Sequence, residues 1–378
     1  MIFLAFSLLT WGVGEGMFFI FQPLYLEELG ANPVLIGTIL GGMGITMTIA
    51  HIPAGYLADR IGRRPLIWIA WLTGACSAWI MAMARTLPVF VVGLLCYGLT
   101  AFVSSPLSSY VTAARGKMSV SRALTLISAT YNTGALIGPL LGGLIGHRLG
   151  LSVIYRISAS IFLVSLVIIL FIRKQPVEPK AIEQHENGSF FNRKFIVFLV
   201  IIFLAMFAMY LPQPLSQNFL QNEREININQ IGVLGSITGL GLVILNLTLG
   251  SLAPRVGLLL GQGLVALYAV LLWQGNGFLW YALAYFMIGG YRVARFLTIA
   301  QTRNLVHGSR MGLAYGIMET AIGLAIILAS PLAGYIYDIQ PDLVYIISLC
   351  LIVISLFASM TFLSEKNLSN IPPEVIHE

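Results

Sequence analysis

Residues 36–62, IGTILGGMGITMTIAHIPAGYLADRIG, lie over residues 231–257, IGVLGSITGLGLVILNLTLGSLAPRVG, at a constant offset of 195. Gly37 matches Gly232, Gly55 matches Gly250, Arg60 matches Arg255 and Gly62 matches Gly257. Two further stretches agree at nearly the same offset. Pro139 in IGPLLGGLI corresponds to Pro331 in ASPLAGYIY, and Gln22-Pro23-Leu24 recurs as Gln213-Pro214-Leu215. Three matched stretches describe a chain built of two similar halves. At about 1.5 Å rise per residue, each long apolar segment crosses a hydrocarbon layer of roughly 30 Å as one helix.

The 378 residues are 58% hydrophobic and only 10% charged, whereas ordinary soluble domains carry roughly a quarter charged residues. A water-soluble surface cannot be made from that composition. With about 30 residues per span and connection, the length holds about twelve spans, and twelve apolar blocks follow one another from about residue 3 to residue 363. The blocks are continuous and of helix-spanning length, which excludes a barrel of short alternating strands. The expected fold is all-α, a polytopic membrane protein of 12 transmembrane helices in two pseudo-symmetric six-helix bundles. The one long polar interruption, RKQPVEPKAIEQHENGSFFNRK, sets the boundaries: 1–172 an N-terminal bundle, 173–194 a cytoplasmic linker, 195–364 a C-terminal bundle and 365–378 a cytoplasmic tail.

The net charge of +6 has a topological explanation and not a nucleic-acid one. Basic residues crowd alternate loops, with Arg85, Arg148 and Arg224 alone on the opposite side, so the positive-inside bias places both termini in the cytoplasm. The first apolar block lacks a basic leader and a small-residue cleavage site, so it reads as a retained span. Cys76, Cys96 and Cys350 lie in apolar blocks and His147, His185, His307 and His377 are scattered at loops and termini. Neither disulfide nor metal-ligand spacing results.

At the inner end of span 2 stands Gly55-Tyr56-Leu57-Ala58-Asp59-Arg60-Ile61-Gly62-Arg63-Arg64. Gly55 and Gly62 permit close helix approach and a tight turn, Asp59 can accept from donors at a helix N-terminus, and Arg60 and Arg63 stay in the cytoplasm. The loop resembles the signature loop of the major facilitator superfamily, G-x-L-A-D-R-x-G-R-[KR]. Its weaker second copy is Gly250-Ser251-Leu252-Ala253-Pro254-Arg255-Val256-Gly257. The resemblance covers the whole chain and implies a conformational latch at Gly55, Asp59, Arg60, Gly62 and Arg63. Pro254 replaces the acid in the second copy, and no acidic residue stands near the end of span 4. Span 5 carries Gly134-x-x-x-Gly138-Pro139-x-x-Gly142-Gly143, a flat strip for close helix packing. It is similar to the pattern of the superfamily's exporters and antiporters; the arginine those exporters often carry in span 4 is missing.

Ionisable groups inside a membrane are costly and mark function by default. Here they are Glu15, His51, Arg292, Arg295 and Glu319. Counting residues puts Glu15 and Arg292 near the midplane, while Arg295 and Glu319 share a level on neighbouring spans, as a charge pair with a structural or a transport role. The resemblance implies that spans 1, 4, 7 and 10 line a central cavity. On helical spacing, Trp11, Glu15, Phe18 and Gln22 form one stripe, Tyr210, Gln213 and Gln217 another, and Tyr285, Gly289, Arg292 with Arg295 or Phe296 a third. Span 4 offers Thr100, Ser104, Ser105, Ser108 and Ser109, hydroxyls that also bond their own helix carbonyls. The expected substrate and proton site is therefore Glu15, Gln22, Arg292, Tyr210, Gln213 and Trp11. His51 corresponds through the repeat to Asn246, a position that tolerates any hydrogen bonder and so reads as structural.

These residues imply a secondary active transporter in the cell membrane, a monomer embedded in the lipid bilayer, with a small-molecule substrate, protons as co-substrate and no cofactor. No nucleotide-binding G-x-x-x-x-G-K-[ST] occurs, so a gradient supplies the energy. One reading is proton-coupled efflux of hydrophobic or cationic compounds with Glu15 as the coupling group. A second is transport of an organic anion or sugar-like solute bound by Arg292. A different class, a non-transporting scaffold or sensor, lacks an output domain, and an enzyme lacks a nucleophile with its base or clustered metal ligands.

Overall fold

The computed structural model describes residues 1–175, 193–302 and 311–362, and within these the side chains of 52–61, 193–194, 300, 311–313 and 362 lie outside the description. So do most of the expected linker 173–194, the tail 365–378, and the side chains of Asp59 and Arg60 in the expected latch. The described helices form twelve rods. Span 1 is Ile2–Phe19 continued by Gln22–Glu28, span 2 Pro33–Ile61, span 3 Arg63–Met83, span 4 Leu87–Leu99 continued by Ser104–Ala114, span 5 Val120–Leu149 and span 6 Leu151–Ile169. In the second half, span 7 is Arg193–Tyr210 continued by Ser216–Asn222, span 8 Ile228–Leu249, span 9 Pro254–Gln274, span 10 Phe278–Met287 continued by Gly289–Thr302, span 11 Met311–Ile339 and span 12 Leu343–Phe362. The chain folds as two pseudo-symmetric six-helix bundles.

Helix starts repeat with the sequence. Asn32 caps span 2, accepting from the Leu35 amide at 2.8 Å, and Pro33 follows where its missing N–H costs nothing. Asn227, offset by the same 195 residues, caps span 8 in a reciprocal box with Gln230. Gly62 takes φ +86°, which lets span 3 begin one residue after span 2 ends. The four interrupted spans are 1, 4, 7 and 10, which break at Ile20–Phe21, at the 3₁₀ turn Thr100–Val103, at 211–215 and at Ile288. Interruption frees backbone groups, and in a membrane these are tolerated only inside protein or beside a water-filled space.

The face bearing Met1 and the Gly62 turn is here the inner face; its opposite is the outer face. The halves meet along two seams related by the sequence repeat. Span 5 packs on span 8, where the Cβ of an alanine at Gly232 would strike the Pro139 carbonyl oxygen and lie 2.7 Å from Gly143 Cα. Span 11 packs on span 2, where a Cβ at Gly37 would strike the Ser330 carbonyl oxygen. Gly134, Gly138 and Gly142 face the other way, onto Leu9, Val13, Gly16 and Met17 of span 1. One helix thus uses two small-residue strips to hold two neighbours.

At the outer face the halves are also tied by hydrogen bonds. Asn218 donates to Glu27 at 2.5 Å and to the Pro23 carbonyl at 3.3 Å, and Asn222 donates to Glu27 at 2.8 Å. Glu27 and Asn218 are repeat-equivalent, so this latch sits on the pseudo-twofold axis. Asn218→Ala removes two of the three bonds, at about 1.5 kcal/mol or more for the one to a charged acceptor. The expected result is a severalfold rise in the labelling rate of an outer-gate cysteine at Gln217. An unchanged rate would mean that the latch does not hold the outer face shut.

Candidate functional site

Because the seams close the outer half, the halves diverge inward around a cavity of about 1430 Å³. The N-terminal half contributes Trp11 and Glu15 from span 1, Thr48 and His51 from span 2, Tyr97, Ser104 and Ser108 from span 4, and Tyr131 from span 5; the C-terminal half contributes Arg295, Tyr315 and Glu319. Apolar groups such as Leu8, Met43, Leu107, Val111 and Ile127 fill the wall between.

Glu15 is the acid at the deep end. Its Oε2 accepts from Trp11 Nε1 at 3.1 Å and from the Tyr131 hydroxyl at 3.0 Å, and the Tyr97 hydroxyl also hydrogen-bonds the carboxylate. Trp11 is held in place in turn. Its indole packs on Trp71, Phe162 and Tyr97 with ring centroids 4.9, 4.4 and 6.3 Å away, in a slot that exists because residue 74 is glycine. Three neutral donors on three helices therefore orient one carboxylate. No arginine, lysine or histidine lies within ion-pair distance of it among the described residues.

Arg292 is exposed although it stands within a span. Its charge acts on Glu15 and Tyr131 of the opposite half as well as on Tyr210 and Tyr291 of its own. It has no carboxylate partner among the described residues. Arg295 and Glu319 form an ion pair, Nη2 to Oε2 at 2.5 Å, with both side chains partly open to the cavity.

Of the residues expected at the site, Trp11 and Glu15 line the cavity, whereas Gln22, Tyr210, Gln213 and Arg292 are not on its wall. Gln22 is buried with its Nε2 unpaired, and Gln213 donates to the Met209 carbonyl at 2.8 Å. Gln22 opens the second segment of span 1 and Gln213 lies in the break of span 7. Tyr210 bonds Ser330 and packs its ring 5.9 Å from Tyr291. Of the span 4 hydroxyls, Thr100, Ser104, Ser105 and Ser108 line the cavity and Ser109 does not; Thr100, Ser104 and Ser108 donate to carbonyls of their own helix at 2.7, 3.2 and 2.9 Å.

Sequence reasoning missed Tyr97 and Tyr131, and placed His51 in the packing when it lines the cavity. A signal for Tyr131 existed: it lies three residues before Gly134, on the strip that faces span 1. The repeat equates His51 with Asn246 and carries no information on which of the two borders the cavity; of the pair, His51 does.

A doubled six-helix fold with a largely apolar cavity between its halves, carrying a few charged and polar groups, is the architecture of a membrane transporter. The chain belongs to the Major Facilitator Superfamily, whose family model matches residues 4–217 and, separately, 197–375. Multidrug resistance protein 2 of Bacillus subtilis is 22% identical, covering 97% of this chain and 94% of that protein. Multidrug resistance protein MdtG of Citrobacter koseri is 28% identical over 63% of this chain and 62% of its own. Among solved structures, the nucleoside transporter NupG superposes with a TM-score of 0.78 at 16% identity, covering 96% of this chain and 98% of that one. A bacterial homologue of the lysosomal transporter Spinster, in an inward-facing and occupied conformation, gives 0.74 at 12% identity, with 97% of each chain covered.

Proposed function

We propose that this protein is a proton-coupled exporter of hydrophobic or cationic compounds, working by alternating access in the cytoplasmic membrane with both termini in the cytoplasm. The observation that carries the reading is Glu15: a carboxylate facing an apolar, aromatic-walled cavity and held by neutral donors alone. Such a group can hold a proton or balance a cationic ligand, but not both at once. Competition for one carboxylate is what exchange of substrate against proton requires. Relatives named as multidrug resistance proteins and the span 5 glycine pattern support the direction. On this orientation the inner face is cytoplasmic, and the cavity is poised to load from the cytoplasm.

Arg292 favours a second reading, an organic anion or sugar-like solute, because it is an exposed cation within a span, its charge reaches Glu15 and Tyr131 of the opposite half, and it has no ion-pair partner among the described residues. A panel of lipophilic cations, neutral solutes and organic anions, tested in proteoliposomes under an imposed pH gradient, separates the two. The first reading expects gradient-driven movement of the cations. Movement of the anions alone, lost in Arg292→Ala, would replace it with the second.

A further inference from the structure

The seam between spans 2 and 11 runs inward from Gly37 and Ser330 to Thr48 and Gly323, where a Cβ on residue 323 would lie 2.9 Å from Thr48 Oγ1. About one turn further in stand His51 on span 2 and Glu319 on span 11, both on the cavity wall. They occupy the fork where the halves part. Glu319 is held sideways by Arg295, and its side chain remains 44% exposed. The charges of Glu319 and Arg295 both act on His51. The other titratable groups on the same cavity are Tyr315 on span 11 and, deeper, Glu15, Tyr97 and Tyr131.

We propose that His51 and Glu319 form a second proton-binding site, an inner gate that closes when the imidazole takes up a proton. If the halves rock shut at the inner face, the seam extends inward past Thr48 and Gly323, and 51 with 319 is the next polar pair to meet. A neutral imidazole offers Glu319 one hydrogen bond at most. An imidazolium attracts the carboxylate and repels the Arg295 guanidinium, so it both draws span 2 to span 11 and competes for the partner that keeps Glu319 turned aside. The proton arrives on the free ring nitrogen from the inner solvent and leaves by the same route, with no covalent change elsewhere. Histidine suits this because it changes charge between about pH 5 and 8. The other seam cannot act in the same way, since its equivalents of His51 and Glu319 are Asn246 and Ile127. The inference adds regulation to the proposed transport cycle and rests on that cycle alternating.

The test places spin labels at Ser121 and Ser251, both exposed at the inner face in opposite halves, after Cys76, Cys96 and Cys350 are changed to serine. Distances are read in nanodiscs at about pH 8 and about pH 5.5, on either side of the ordinary histidine value, with neither gradient nor substrate present. The short-distance population is expected to rise about fivefold on acidification, the size of a modest exposed ion pair. His51→Asn and Glu319→Gln should each remove that rise, while their distributions at high pH match the parent and show an intact fold. A full rise retained in His51→Asn overturns the inference. Glu15→Gln should keep the rise while losing gradient-driven transport, so failure of the gate and failure of the exchange reading are read separately.

Discussion

Glu15→Gln is expected to abolish accumulation driven by a pH gradient while preserving the fold and the cavity. Glutamine has the same shape and still accepts from Trp11 and Tyr131 through its amide oxygen, so the three-helix junction around it stays hydrogen-bonded. What it cannot do is exchange a proton. For one proton per cycle, a one-unit gradient supports about tenfold accumulation, the equivalent of about 1.4 kcal/mol. The substituted protein should fall to no accumulation, yet still equilibrate a neutral lipophilic solute across the bilayer. Transport in proteoliposomes at several imposed gradients checks this. Unaltered pH dependence in the glutamine form would remove Glu15 from the coupling role.

Gly232→Leu should shift the protein strongly towards a state with its outer face open. In the present conformation the added side chain runs into the Pro139 carbonyl and the Gly143 backbone, and both belong to rigid helix, so neither can yield cheaply. Overpacking of this kind costs about 1–3 kcal/mol, which converts to roughly a 5- to 150-fold change in the ratio of the two states. The clash exists only while spans 5 and 8 are pressed together, so opening the outer seam relieves it. Gly263→Leu serves as the comparison, because nothing lies within 4 Å of a Cβ there and no shift is expected. The readout is the distance between labels at Arg85 and Asn276, exposed outer-face residues of opposite halves. Equal distributions for the two leucine variants would show that the seam does not govern the state.

The architecture was legible because a membrane imposes it. Apolar blocks of fixed length, alternating basic loops and a repeat at one offset leave few alternatives to twelve helices in two halves. The repeat reached further than expected, since it also predicts which glycines form the seams and which asparagines cap spans 2 and 8. The site was legible only at its charges. Glu15 declared itself because a carboxylate within a span has to be explained, and so did Arg295 with Glu319. Tyr131 stayed hidden because a tyrosine in an apolar helix is ordinary, and only the packing of span 5 on span 1 makes it a ligand of Glu15. Gln22 and Gln213 were drawn into the expected site by helical spacing. Spacing assumes a continuous helix, whereas span 1 breaks just before Gln22 and span 7 breaks across Gln213. The cavity-facing position of His51 was not legible, because the repeat equates sequence positions but not their surroundings.

All of this depends on two bundles that rock about a shared cavity, and one measurement addresses that motion directly. Label pairs at Ser121 and Ser251 on the inner face, and at Arg85 and Asn276 on the outer face, should be followed in the same preparation as gradient and substrate are varied. The account predicts reciprocal changes, with every gain in the open inner population matched by a gain in the closed outer one. Inner and outer distances that widen together, or one that moves while the other stays fixed, would contradict it.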